Sequence, residues 1–133
     1  MFDHPTAAEL IAAARMHLER QVIPSIAEPR LRFQTLVAAN VLAIVERELV
    51  AGEAPLAAAW RRVADLEGES AAEPAREALR AAVAAQAHQL CESIRAGAYD
   101  DGPRRQELLA HLRLTAEEEL AVANPRFLER VCG

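Results

Sequence analysis

The chain has 133 residues, 52% of them hydrophobic and 4% aromatic, and carries a net charge of −5. That length suits one domain with its own core, independent of disulfide or metal staples; the hydrophobic share excludes disorder, and an acidic balance with arginines scattered among acids argues against nucleic-acid binding. All 15 basic residues are arginine, so Schiff-base chemistry and the phosphate-loop lysine are both absent.

Thr6-Ala7-Ala8-Glu9 has the spacing of a capping box, in which the hydroxyl and the carboxylate each satisfy an otherwise unpaired amide. A first helix is predicted from there to about Ile23, with Leu10, Ile11, Ala14, Leu18 and Val22 as its apolar stripe, and Pro24 ends it. The residues before it show neither a basic segment nor an apolar one, so no secretory signal is expected.

Pro29 suits the first turn of a second helix, which runs to about Ala51 with Gly52 as its left-handed cap. At 1.5 Å per residue that helix is about 34 Å long. Phe33, Val37, Val41, Ile44 and Val45 share one face, and Leu31, Leu42 and Leu49 widen it. So broad an apolar sector predicts a helix at the centre of a bundle.

A third helix is predicted from Pro55 to Glu67, with Leu56, Ala59, Trp60 and Val63 inward and Gly68 stopping it. After a turn from Gly68 to Pro74, a fourth runs to about Ala96, with Leu79, Val83, Ala87, Leu90 and Ile94 facing the core and Gly97 as its cap. Tyr99 to Gly102 reads as a loop. A fifth helix starts at Pro103 and carries Leu108, Leu109 and Leu112. Thr115-Ala116-Glu117-Glu118 reads as a second capping box, opening a short sixth helix that stops at Asn124-Pro125, and the tail has room for one more turn.

No segment alternates with period two, so no strand is expected, and helix should cover roughly 70% of the chain against a usual third. The expected fold is all-α. Short connections favour an antiparallel helical bundle of four longer helices plus one or two short C-terminal helices, in a single domain over residues 1–133.

Signatures of catalysis are missing. The glycines stand singly, and Ser25, Ser70 and Ser93 lack the context of a nucleophile elbow. His88 and Cys91 have chelating spacing, but on the helical wheel His88 points off the apolar stripe and Cys91 lies at its edge, as a solvated imidazole beside a small core thiol would. The Glu-x-x-His pairs of di-metal bundles do not occur. No catalytic residue, metal or cofactor is therefore expected. Two cysteines make no disulfide framework, and no apolar run is long enough to span a membrane, so a cytoplasmic protein is expected.

Two polar residues interrupt the second helix. Asn40 sits on the shoulder of the apolar face, and Glu48 falls on the line of Val37, Val41 and Ile44. Arg47 lies seven positions after Asn40, almost beneath it. A buried Asn or Glu needs partners, since unpaired burial costs several kcal/mol. Glu48 is accordingly expected to be buried against Arg95 or Arg126. Asn40, Arg47, Glu48, Arg95, Asp100, Asn124 and Arg126 are the candidate site, either a structural polar tie or the wall of a polar pocket at the end of that helix.

These segments resemble a family of uncharacterised bacterial proteins classed as a domain of unknown function. The resemblance lies in Asp3-His4-Pro5-Thr6-Ala7-Ala8-Glu9-Leu10, in Phe33, in Val37-Ala38-Ala39-Asn40 and in Ile44 to Leu49. It resumes at Leu90 to Asp100, Leu112 to Thr115, Leu120 to Val122 and Asn124-Pro125-Arg126. It implies a small helical accessory protein, of a kind often encoded beside acyl-CoA dehydrogenases and phosphotransferases resembling aminoglycoside kinases. It assigns no functional residue.

Two functions follow as expectations. The first is a non-enzymatic accessory or interaction protein of a metabolic enzyme, partnered by another protein or by itself as a homodimer. The alternative is a small anionic-ligand-binding protein or minor enzyme, because arginines suit carboxylates and phosphates. Neither nucleic acid nor membrane is an expected partner.

Overall fold

The computed structural model describes residues 4–70 and 72–133. Asp3, in the opening motif, and Ala71, inside the Gly68–Pro74 turn, lie outside the described residues. The fold is all-α, with no strand among the described residues. The chain divides into two compact units, Met1–Gly52 with Val122–Asn124, and Glu53–Ala121 with Pro125–Gly133.

The first unit opens with α1 (Ala7–His17), which passes through a π-helical turn (Leu18–Val22) into the short α2 (Ile23–Ser25). The capping box forms as expected: the Glu9 amide donates to Thr6 Oγ1 at 3.2 Å, and the Thr6 amide donates to Glu9 Oε2 at 2.6 Å. The Thr6 amide above all, then the His4 ring 3.2 Å from the same oxygen, hold the Glu9 carboxyl below its ordinary pKa. Pro24 does not end the helix at Ile23. It sits inside the last turn, after the π turn that widens the backbone where a proline would otherwise crowd the carbonyl four residues back.

The long helix α3 (Pro29–Ala51) begins at Pro29 and closes on Gly52 at φ 63°. Glu28 caps its start by accepting from the amides of Arg30 and Leu31. α1 packs along α3. Arg15 Nε donates to Glu46 Oε2 at 2.9 Å and fixes that pairing, while Arg15 Nη1 reaches Glu19 Oε2 at 2.9 Å.

The second unit holds α4 (Ala54–Glu67), α5 (Arg76–Arg95), α6 (Gly102–Ala123), whose last two residues group with the first unit, and α7 (Pro125–Cys132). α4 packs on α5. Trp60 sits with Ala57, Ala64 and Leu79, and Val63 sits with Leu90, Tyr99 and Leu108. Gly68 and Gly97 adopt positive φ at the ends of α4 and α5, as expected of left-handed caps. Ala87 and Ile94, read as inward, are exposed.

The predicted break at Thr115 is absent, and α6 runs through it without interruption. The two residues read as a capping box face α4 instead. Arg62 Nη2 lies 3.4 Å from Thr115 Oγ1, and the Arg62 guanidinium spans both carboxylate oxygens of Glu118. A hydroxyl and a carboxylate three residues apart share one face of a continuous helix, so the same spacing serves a cross-helix clamp. The tail is a helix of eight residues rather than one turn.

Candidate functional site

α3 does not lie at the centre of a bundle. Its sole buried side chain is Ala39, 2% exposed, on the side that carries Glu46 to Arg15. A small residue there lets α1 approach closely. The stripe read as core lies on another side: Phe33 is 66% exposed, Val37 47% and Val41 51%. Leu31, Leu36, Leu49 and Val50 are exposed as well. Phe33, Val37 and Val41 thus form a run of exposed hydrophobes along one side of α3.

This arrangement explains Asn40 and Glu48. The sequence places both among hydrophobes, and both are exposed. The expected burial of Glu48 is therefore wrong, because the apolar line on which it stands is itself at the surface. Neither residue needs an internal partner to offset desolvation.

Arg47 is half-buried, and its Nε donates to the Val122 carbonyl at 2.6 Å, within the first unit. Val122 lies in the last turn of α6, where carbonyls lack partners inside the helix and a cation is favoured. Arg47 is thus a structural tie. Asn124, next to that tie, is exposed. Arg95, Asp100 and Arg126 belong to the second unit and are exposed, with Arg95 held by Glu92 of its own helix.

Tyr99 lies in the loop between α5 and α6, as read from the sequence, and its side chain is buried in the core. Its hydroxyl donates to Glu67, and the Arg104 guanidinium stands 4.7 Å over its ring. Burial, then the Glu67 carboxylate, pushes its pKa up. Cys91 is exposed beside solvated His88 rather than tucked into the core, and both cysteines are free thiols. Among the described residues no three His, Cys, Asp or Glu side chains are grouped to hold a metal, and no helix is long and apolar enough to cross a membrane.

An open cleft of about 480 Å³ lies between α4 and α6 in the second unit, lined by Arg62, Asp65, Leu66, Glu107, Ala110, His111 and Leu114. His111 is 9% exposed, and its Nδ1 has no hydrogen-bond partner. Burial, then the Arg62 charge, lowers its pKa, so the imidazole is held neutral. Arg62 is already engaged by Glu118, and two further carboxylates line the walls, so the cleft does not suit an anion. Sequence reasoning passed over His111 because nothing at ligand spacing accompanies it.

A family model for a domain of unknown function, DUF6285, matches residues 24–127. The chain belongs to that family. The matched span contains all of α3 and begins after the capping box of α1. No curated protein and no solved structure matches the chain.

Proposed function

We propose that the protein is a non-enzymatic interaction protein that holds another polypeptide against the exposed face of α3. The observation that carries this reading is the half-exposed stripe of Phe33, Val37 and Val41 on a helix anchored from another side by Arg15–Glu46. Burying such a stripe is worth about 25 cal/mol per Å² of apolar surface removed from water. Asn40 and Glu48 lie on this surface as residues that set specificity, since a polar group meeting no complement costs binding energy.

The setting we propose is the bacterial cytoplasm, beside enzymes of acyl-CoA metabolism. That part comes from the resemblance to proteins often encoded next to acyl-CoA dehydrogenases and aminoglycoside-kinase-like phosphotransferases. Affinity capture of the tagged full chain from its source cells tests the reading. It expects a polypeptide at stoichiometric amount, either an enzyme or untagged copies of the chain itself, that is lost when Val41 is changed to Glu. No stoichiometric polypeptide, or one retained by Val41→Glu, overturns it.

A further inference from the structure

We infer that the occupant of the α3 face is the α3 of a second copy of this chain, lying antiparallel across a two-fold axis near Asn40. The inference rests on reading that face as a binding surface, and it adds the partner and the orientation.

Charge sets the orientation. Arg30 stands in the first turn of α3 and Glu48 in the last, and both are exposed. Eighteen positions separate them, which is five turns at 3.6 residues each. They therefore lie on one line of the helix, at opposite ends of the strip that carries Phe33, Val37, Val41 and Ile44. A parallel pairing would set Arg30 beside Arg30 and Glu48 beside Glu48. An antiparallel pairing sets Arg30 of each copy beside Glu48 of the other, and symmetry makes the contact twice.

Asn40 fits the axis. It stands at the midpoint of α3, on the shoulder of the apolar strip. A carboxamide carries both donor and acceptor, so it can pair with its own copy across a two-fold. A lone Asn in an apolar helix seam costs stability and fixes register and partner orientation. Under this pairing Val37 of one copy packs near Val41 of the other.

The strip is about 34 Å long and one helix wide, which is less than the roughly 800 Å² per partner of a standard interface. The dimer should therefore depend on concentration. Light scattering on the full chain between about 5 and 500 µM, which brackets the micromolar dissociation constants of a weak dimer, should show the mass rise from one copy to two. Arg30→Glu alone and Glu48→Arg alone should each weaken association several-fold, and the Arg30→Glu/Glu48→Arg double variant should restore it. Circular dichroism confirms that each variant stays helical.

A chain that is monomeric throughout that range overturns the inference. So does a dimer that both single reversals leave unchanged, or one that the double variant fails to rescue. If the chain is monomeric and yet loses a captured enzyme on Val41→Glu, this inference fails while the interaction reading stands. If Val41→Glu changes neither mass nor capture, both fail.

Discussion

Arg62 and Glu118 meet at two points, Nη1 at 3.0 Å from Oε1 and Nη2 at 2.6 Å from Oε2. The pair joins α4 to α6 and is partly shielded from solvent, with side chains 21% and 30% exposed. The paired, charge-assisted geometry makes it stronger than a surface ion pair. Glu118→Ala leaves the guanidinium with Thr115 alone, and it should lower stability by about 1–3 kcal/mol in a urea melt. A loss under about 0.5 kcal/mol, the size of an ordinary surface change, would show that the clamp contributes nothing.

His111 makes the second unit sensitive to acid. Its pKa is lowered in the folded chain by burial and by Arg62, so the unfolded chain takes up the proton first as pH falls. The stability it contributes is complete above the ordinary histidine pKa and is lost as pH drops below about 6.5, by at most about 1.4 kcal/mol per pH unit. Arg62 and Glu118 face it, along with Asp65 and Glu107 of the cleft. Melts between pH 7.5 and pH 5 should show that slope in the native chain, and His111→Gln should flatten it. An identical slope in both would assign the acid sensitivity to other groups.

Ala116→Pro distinguishes one continuous α6 from two shorter helices. Were Thr115 an N-cap, residue 116 would be the first helical position, where proline is welcome. Inside α6 the proline removes a hydrogen bond and clashes with the carbonyl four residues earlier, at a cost of about 3 kcal/mol or more. The structure predicts the loss, read as a lower urea midpoint. An unchanged midpoint would restore the break.

The helices were legible wherever a local rule has a single outcome. Thr6 and Glu9 close a capping box because a fresh helix start has free amides to fill. Gly52, Gly68 and Gly97 end helices because a positive φ suits a residue without a side chain. Thr115 and Glu118 carry the same pattern with another outcome, because Arg62 on a neighbouring helix competes for both oxygens. No pattern within α6 reveals that neighbour.

The candidate site was legible as an anomaly and misread as a location. Asn40 and Glu48 do stand out from α3, but hydrophobicity alone does not say whether a stripe meets the chain's own core or another polypeptide. α1 takes the side marked by Ala39, the smaller residue, and leaves Phe33, Val37 and Val41 outside. Asn40 is then a surface residue among surface hydrophobes, and Arg47, two turns further along, becomes a tie to a helix end.

Whether that stripe is surface or core is the point on which the account turns, and urea unfolding of Val37→Glu in dilute solution decides it. Glutamate is a good helix former, so at an exposed position the variant should keep its helical circular dichroism and unfold within about 0.5 kcal/mol of the dilute native chain. A destabilisation of several kcal/mol, the cost of burying an unpaired charge, would place Val37 in a core and contradict the account.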